Sequence, residues 1–304
     1  DGANILPPTE EAALDARLNA FFDAFATLAG DPGSTVARQL VTVQGQSLSG
    51  AFHDVVRRLG QSQRDVDLDL RSVTDEVNAL AGTIASLNAA IGSSPGSTEV
   101  LKDQRATALR SLADLIDVDV TIQDDSVNVA VGHGRALVAG ENAYEISVAS
   151  APPLGFAEVF SGSTNITDEI TGGRIGGQLL ARDTFIPGYV QRLDELAVQV
   201  VAEVNALHAA GYDLNGTTGV NFFDTPAVTA GAAAAMTLSA AVLADTDAIA
   251  AAGISAVGDN QTARAIAELR NGSPSATDGW ATLLNRVGTD RRAALSEQST
   301  REDV

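Results

Sequence analysis

A heptad pattern between Val66 and Ile91 constrains the fold of this chain more than any other feature of its sequence. Apolar side chains recur there at alternating steps of three and four residues, which gives the period of about 3.5 residues typical of a coiled-coil seam. The a positions are Leu70, Val77, Ile84 and Ile91, and the d positions are Val66, Val73, Leu80 and Leu87. We expect the helix to bury this stripe, because an exposed apolar stripe of this length promotes aggregation.

The residues that flank the seam argue against a self-paired coiled coil. Asp69 and Glu76 occupy g positions, Asp67 occupies an e position, and neither set contains a basic residue. A dimer formed through this seam would therefore place acidic side chains next to each other. Ala81 and Ala90 permit a close approach instead. The sequence thus predicts that the seam packs on other helices of the same chain.

Further apolar stripes predict helices on both sides of the heptad. A first helix ends before the break at Gly30–Ser34, and a second extends from about Ser34 to Leu59. The expected buried stripe of this second helix is Val36, Leu40, Val43, Leu48, Phe52, Val55 and Leu59. A turn at Gly92–Gly96 precedes a helix from Glu99 to about Ile116. Short links between these helices indicate an antiparallel bundle.

At Asp117 the apolar period changes from that of a helix to that of a strand. Apolar and polar residues alternate along 118–122, 127–131 and 144–148, and the intervening Asp124-Asp125-Ser126 is typical of a turn. These segments predict a β meander or a small sandwich. A long helix then begins near Gly172–Gly177, with Pro187 expected to kink it or to separate a short first segment.

The fold predicted from these patterns is α+β, a discontinuous, coiled-coil-like helical bundle with an inserted antiparallel β domain. Residues 1–117 and 261–304 are expected to be the two parts of the bundle, and residues 118–172 the β domain. Residues 173–212 are expected to form a long helix that returns to the bundle. Residues 213–260 are expected to be loop-rich, with weak strands, and packed near the β domain.

The composition excludes several classes of function. The chain of 304 residues has 19 basic and 39 acidic side chains, so its formal net charge is −20. This charge argues against binding to nucleic acid or to an anionic membrane surface, since both require basic groups. The absence of cysteine excludes disulfides, thiolate metal sites and cysteine nucleophiles. No apolar run approaches the roughly 18 residues that a membrane-spanning helix needs.

The three histidines do not form a recognisable metal motif. His53, His133 and His208 are far apart in the sequence, and none lies in a His-Glu-x-x-His pattern. We expect each to lie at the surface or to cap a helix. For His208, near the end of the long helix, a partial positive charge would be favourable.

Two short motifs have both a chemical and a structural interpretation. Asp213–Gly216 resembles the opening of a calcium loop but lacks the later ligands, so a tight turn is favoured over a calcium site. Gly172-Gly173 and Gly176-Gly177 superficially suggest a dinucleotide loop, but no parallel βαβ unit surrounds them. Close packing at a domain joint is favoured there. The sequence therefore predicts no catalytic, cofactor-binding or metal-binding residues, no cofactor and no enzyme activity.

Several segments in a fixed order resemble one known family. They are Phe21-Phe22, Leu28–Pro32, Ala37-Arg38, Gln44–Leu48, Val77–Leu80, Ile84–Asn88, Leu101–Arg105, Gly173–Leu179, Arg182-Asp183, Val204-Asn205, His208, Gly211–Gly216 and Phe222-Phe223. Over about Leu14–Phe223 the chain is similar to the flagellar hook-associated protein 1 family. Ala106, where the family usually has an acid, departs from the pattern, and the stretch 224–260 does not match in detail.

The resemblance implies a structural component of the bacterial flagellum that forms the junction ring between hook and filament. It implies an extracellular location and type III export without a cleaved signal peptide. The implied partners are copies of the chain itself, the hook protein, the second hook–filament junction protein and an export chaperone bound outside this chain. The chain starts at Asp1 without a methionine, so we expect a core fragment without the terminal polymerisation segments. A secreted adhesin-like binding module with a helical stalk is the alternative, and a metal-assisted hydrolase is disfavoured.

Overall fold

The computed structural model describes residues 8–150, 155–256, 258–272 and 275–302. The helices are α1 (Pro8–Gly30), α2 (Thr35–Ser93), α3 (Glu99–Leu115), α4 (Gly173–Leu180), α5 (Ile186–Ala210), α6 (Ala232–Ala235), α7 (Ala240–Ala244), α8 (Gln261–Glu268) and α9 (Ala276–Glu302). The strands are β1 (Val118–Gln123), β2 (Ser126–Val131), β3 (Arg135–Ala139), β4 (Asn142–Ala143), β5 (Ile146–Ser150), β6 (Ala157–Ser161) and β7 (Thr164–Asn165). The fold is α+β, with two small antiparallel sheets inserted between helices.

The chain divides into two compact units. Unit one is the chain up to Gln61 together with Pro187–Ala293, and unit two is Ser62–Ile186 with the chain end from Ala294. The first half of α2 belongs to unit one and the second half to unit two. The five-part domain division predicted from the sequence stays a prediction.

α2 is one helix of 59 residues, whereas the sequence suggested two helices with a link after Leu59. The linking segment, Gly60–Asp65, contains one glycine and no proline. A single glycine in a helix interior costs only about 1 kcal/mol, and glutamine and arginine are good helix formers. Nothing in this segment is therefore strong enough to end the helix.

The core of unit one is built around aromatic rings. Phe21 and Phe25 of α1 lie 5.6 and 5.5 Å from Phe222, measured between ring centroids, and Phe222 lies 4.8 Å from Phe223. α2 meets this cluster at Gly45, where an added side-chain carbon would lie 3.0 Å from the Phe222 ring. The glycine thus allows the ring to pack directly on the helix backbone.

The buried side of the first half of α2 differs from the predicted stripe. Leu48, Phe52, Val55 and Leu59 are buried as expected, but Val36, Leu40 and Val43 are exposed. In these first turns the buried side chains are those of Ala37, Arg38 and Val41. The prediction for this segment is wrong because an arginine, whose hydrogen bonds are met by carbonyls, takes an interior position that the apolar pattern cannot reveal.

The alternating segments of the sequence form strands of unit two, and β2 buries its apolar side chains in alternation, whereas Val120 and Ile122 of β1 are exposed. The first sheet has the order β1-β2-β3-β4 and the second has the order β5-β6-β7, and the pairs are antiparallel. The cross-strand pairs of β1 and β2 include Val118 with Val131 and Val120 with Val129. The predicted change from helix to strand near Asp117 is confirmed.

The heptad lies on the second half of α2, and its buried side is shifted from the predicted one. All four a positions are buried, but of the d positions only Val73 is. The other buried row is the e row, Asp67, Thr74, Ala81 and Asn88. Leu70, Val73, Val77 and Ile84 of the seam belong to one hydrophobic cluster with residues of α3 and of both sheets. The sheets therefore cover part of the seam, which the sequence predicted would pack on other helices of the chain alone.

The long helix after the sheets is interrupted, as its proline suggested. Residues Ala181–Phe185 form a π-helical turn between α4 and α5. Pro187 directly follows this turn inside a helix that continues from Gly173 to Ala210, so its missing N–H leaves a carbonyl of the π-helical turn without a helical partner. The carbonyl of Arg182 accepts instead from Nε2 of Gln63 at 2.8 Å. Residues 213–260 contain α6 and α7, and isolated bridges pair Tyr212 with Ala252 and Phe223 with Leu238. Among the helices described here, none is long and apolar enough to cross a membrane.

Candidate functional site

The three histidines lie on separate elements and have different environments. Nε2 of His53 is 2.9 Å from the carbonyl oxygen of Met236. His133 is exposed, with Nδ1 3.5 Å from a carboxylate oxygen of Glu169. Within the described part of the chain, no group of three or more His, Asp or Glu residues is placed to hold a metal ion.

His208 is completely buried, and the expectation of a surface or capping position with a positive charge is wrong. Nδ1 lies 2.7 Å from the carbonyl oxygen of Val220, and Nε2 accepts from the N–H of Ala250 at 2.9 Å. These partners fix the neutral tautomer with its proton on Nδ1. Burial lowers the pKa of His208 to about 4. The side chain therefore cross-links α5 to two loop segments as an uncharged ring.

The Asp213 motif forms a turn. Oδ1 of Asp213 accepts from the backbone N–H groups of Asn215 at 2.8 Å and Thr217 at 2.7 Å. Gly216 has a φ of +73°, which suits glycine. This carboxylate oxygen serves the backbone of its own loop, as the turn interpretation requires.

Two glycines in the first turn of α4, Gly173 and Gly176, allow close backbone packing within unit two. A side-chain carbon added at Gly173 would lie 2.4 Å from the backbone nitrogen of Ile116, and one at Gly176 would lie 2.6 Å from the carbonyl carbon of Thr171. Gly173 also has a φ of +66°. Any larger residue would separate the start of α4 from the end of α3. Close packing thus explains Gly173 and Gly176 without a nucleotide, whereas a side-chain carbon added at Gly177 would meet no atom within 4 Å.

Arg38 joins three segments of unit one from a buried position. Its Nη2 donates to the carbonyl of Pro32 at 2.7 Å, and its Nη1 donates to the carbonyl of Ile249 at 2.5 Å. The guanidinium therefore supplies hydrogen-bond donors to backbone carbonyls in two loops. A buried charge of this kind is tolerated because its N–H groups are bonded.

Two asparagines on the second half of α2, the partly buried Asn78 and the buried Asn88, hold the sheets. Nδ2 of Asn78 donates to the carbonyl of Ile146 at 2.8 Å, and Oδ1 accepts from its N–H at 3.0 Å. Asn88 makes the same pair of bonds to Val127 in β2, at 2.8 and 3.2 Å. Each asparagine thus meets both backbone groups of a strand residue. Sequence reasoning missed this role, although both residues belong to segments that resemble the family.

Asp67 holds β6 in a related way, with an arginine as its partner. Its Oδ1 accepts from the N–H of Ala157 and from Nη1 of Arg182, both at 2.7 Å. The same Nη1 donates to the carbonyl of Ala157 at 2.6 Å. Arg182 is supplied by the π-helical turn, and Asp183 binds the other side of its guanidinium. A buried ion pair of this kind is a specific joint because both charges keep their hydrogen bonds.

Glu169 fastens the β2–β3 turn. It accepts from Nε and Nη2 of Arg135 at 3.2 and 3.1 Å and from the N–H of His133 at 3.2 Å. The hydrogen bond from Arg135, followed by that from His133, lowers the pKa of Glu169 to about 2. The carboxylate is therefore ionised at any physiological pH and acts as a fixed anchor.

An open groove of about 380 Å³ lies in unit one beside the end of α1 and α8. Its lining includes Ala26, Ala29 and Ala267, with Arg264 and Glu268 as its charged side chains. None of the lining residues is a nucleophile of the serine, threonine, cysteine or lysine type. The polar side chains described above take part in hydrogen bonds that join segments of the fold.

Comparison with known proteins gives one consistent result. The family model for the flagellar hook-associated protein FlgK helical domain matches residues 3–223. Flagellar hook-associated protein 1 of Escherichia coli (strain K12) is 27% identical over 231 residues, which cover 71% of this chain and 42% of that protein. The protein of the same name from Bacillus subtilis (strain 168) is 23% identical over 260 residues, which cover 72% and 50%.

A solved structure agrees with these sequence relatives. The flagellar hook junction protein FlgK from Burkholderia pseudomallei matches with a TM-score of 0.60 and 26% identity, over 72% of this chain and 42% of that one. The chain spans at most about half the length of the curated relatives named above.

Proposed function

The chain belongs to the flagellar hook-associated protein family defined by the FlgK helical domain, and from this membership we propose that it is a structural component of the junction between the flagellar hook and filament. In this proposal it is not an enzyme and needs no cofactor or metal. The Burkholderia structure is named a flagellar hook junction protein, and the E. coli relative is named a flagellar hook-associated protein.

The observation that carries the proposal is the extent of the family match. Residues 3–223 include all of α1 to α5 and both sheets, so the match takes in segments of unit one and nearly all of unit two. A match confined to one short heptad would support only a coiled coil. The ordered match over helices and sheets supports the same architecture and hence the same mechanical role.

The chemistry of the buried polar groups supports a mechanical role. His208 is neutral and bound at both ring nitrogens. Asp67 and Arg182 satisfy each other and the backbone of Ala157. Groups of these types, when they act in catalysis, face a cleft and a reacting atom. Here they fix strands and loops in place, as expected in a structural protein.

The proposed partners follow from the family. They are copies of the same chain arranged in a ring, the hook protein on one side and the second junction protein on the other. An export chaperone is a further proposed partner, with its site outside this chain. The proposed location is the extracellular flagellum, reached through type III export without a cleaved signal peptide. The adhesin-like alternative has no support among the relatives named above.

Electron microscopy of a strain without the gene tests the proposal. We expect hooks without filaments and flagellin in the culture medium, because filament subunits would have no junction on which to assemble. Restoring the gene should restore the filaments. Normal filaments in the deletion strain would refute the proposal. Adhesion to host surfaces that survives removal of the flagellar apparatus would favour the alternative.

A further inference from the structure

Three apolar side chains on the first half of α2 are exposed at helical spacing. Val36, Leu40 and Val43 are 77%, 37% and 50% exposed. Steps of four and three residues place them on one side of the helix. The same side continues through Ser47 and Gly50, which are partly exposed. We name the surface formed by these five residues the α2 face.

α2 contributes no charged side chain to this surface. Between Thr35 and His53, about five helical turns, the only Asp, Glu, Lys or Arg residue is Arg38, which is buried. The chain as a whole has a net charge of −20, and such a charge keeps copies apart. Two copies can meet closely only where charge is excluded from the contact, because like charges facing each other across an interface are strongly unfavourable.

Gly50 is a second feature that the packing of its own unit does not explain. A side-chain carbon added there would meet no atom within 4 Å. Glycine in a helix interior is less favourable than alanine, so the fold of the chain gains nothing from it. On an exposed helix side, a glycine lets a second molecule approach the backbone closely.

We propose that the α2 face packs against a second copy of this chain. The inference rests on the proposed function and deepens it, because it names the surface through which copies meet in the ring. The exposed Val120 and Ile122 of β1 form a competing apolar surface. However, Asp119 and Asp124 are exposed in and beside that strand, and they would repel an equally acidic copy, whereas Asp125 is paired with Lys102 at 2.9 Å.

The ring geometry determines what the α2 face meets. A ring requires head-to-tail contacts, since two identical surfaces facing each other close into a dimer. The α2 face must therefore contact a different surface of the neighbouring copy. Its three apolar side chains are well short of the roughly 800 Å² per partner of a stable interface. The contact is therefore weak in solution and forms where copies are already held side by side.

Site-directed photo-crosslinking in assembled flagella tests the proposal. The 304 residues contain no cysteine. In the complete protein, with any cysteine outside these residues changed to serine, Val43→Cys carries a single maleimide-linked photo-crosslinker. We expect a product that contains two copies, joined from residue 43 to a segment outside α2. Val228→Cys is the matched control, because Val228 lies in the same unit and is 68% exposed. It should give no such product.

A charge placed on the α2 face should weaken the contact. With the crosslinker moved to Val36→Cys, Val43→Glu should reduce the two-copy product at least about tenfold, and the same substitution at Val228 should not. Circular dichroism spectra equal to the wild type would show that both glutamate variants are folded. In a gene-deletion strain, Val43→Glu should restore far fewer filaments than Val228→Glu.

Several results would overturn the inference. They are a crosslink from residue 43 within the same copy, a crosslink to a different protein, no crosslink, or equal products from residues 43 and 228. A wild-type number of filaments with Val43→Glu would also overturn it, provided that the deletion strain lacks filaments. Filaments in the deletion strain itself would instead refute the proposed function, so the two failures are distinguishable.

Discussion

The two halves of α2 hold their neighbours by different chemistry. The half in unit one packs apolar surface, with Phe222 directly on the backbone at Gly45, and its Arg38 and His53 bond to carbonyls of loops and not of strands. The half in unit two extends Asp67, Asn78 and Asn88 to the backbone of three strands. One continuous helix thus supports an aromatic cluster in one unit and hydrogen-bonded sheets in the other.

This difference follows from what each half has to hold. Aromatic side chains on helices and loops can be fixed by non-directional burial, and edge-to-face ring contacts add geometric preference. A strand that ends against a helix leaves N–H and C=O groups that must find partners. Asparagine meets both groups at once because it carries a donor and an acceptor. The two units should therefore respond to different substitutions.

The largest expected effect is in the aromatic cluster of unit one. Phe222 has four ring neighbours, with centroids 4.8 to 5.6 Å away. Phe222→Ala should lower the free energy of unfolding of unit one by about 4 kcal/mol, because it removes a large buried side chain and leaves a cavity. The single tryptophan, Trp280, is buried in this unit, so its fluorescence in a urea titration measures the change.

The control for this substitution is a ring in unit two. Tyr144 is half exposed, and Tyr144→Ala should leave the Trp280 transition unchanged. An equal shift of that transition in both variants would show that the two units unfold together. The aromatic cluster would then not be a property of unit one alone.

The second effect is in unit two and leaves the aromatic cluster intact. Asn88→Ala would leave both backbone groups of Val127 and one N–H of Arg105 without their partner. Buried unsatisfied groups of this kind should lower the free energy of unfolding by about 3 kcal/mol. Hydrogen exchange of β2 amides should accelerate, whereas the Trp280 transition should not move. Ser86→Ala, at an exposed position of the same helix, is the control.

Periodicity predicted the elements of both units but not their partners. The change of period at Asp117 located the strands, and the heptad located the helix that carries them. The bonds from Asn88 to Val127 and from Asp67 to Ala157 join residues 39 and 90 positions apart. No local pattern encodes such pairings, because a polar residue at an e position is equally consistent with exposure to solvent.

The α2 face is a second feature whose contacts the sequence alone does not predict. Val36, Leu40 and Val43 were predicted to be buried, since apolar residues at helical spacing usually face a core. The structure exposes them because Arg38 occupies the interior and bonds to carbonyls of residues far away in sequence. The sequence identifies an apolar row correctly. It cannot say whether the row faces its own core or a neighbouring molecule.

The stability of unit one should depend on pH between 7 and 5 because of His208. The folded pKa of His208, about 4, lies below its ordinary value of 6.5. The unfolded chain therefore binds a proton first as the pH falls, so this stability is present above pH 6.5 and is lost towards pH 4. Between pH 7 and pH 5 unit one should lose about 2 kcal/mol. His208→Gln, which keeps a donor and an acceptor but does not titrate, should flatten this dependence of the Trp280 transition.

In unit two, the group with a strongly shifted pKa is Glu169, and it titrates at lower pH than His208. The pKa of Glu169 is lowered to about 2 from 4.5, so its contribution to stability is present above pH 4.5 and is lost as the pH falls towards 2.

A Trp280 transition that is independent of pH between 7 and 5 would contradict the assignment of His208 as a buried neutral ring.

The smallest effect distinguishes a glycine that the fold needs from one that it does not. Gly45 and Gly50 lie on the same helix, but only at Gly45 would a side-chain carbon meet other atoms, at 3.0 Å. Gly50→Ala should raise the free energy of unfolding by about 1 kcal/mol, because alanine is the better helix former and nothing obstructs it. Gly45→Ala should lower it, since the Phe222 ring must move. Urea titrations followed by Trp280 fluorescence compare the two, and a destabilising Gly50→Ala would mean that the chain itself packs against this side of α2.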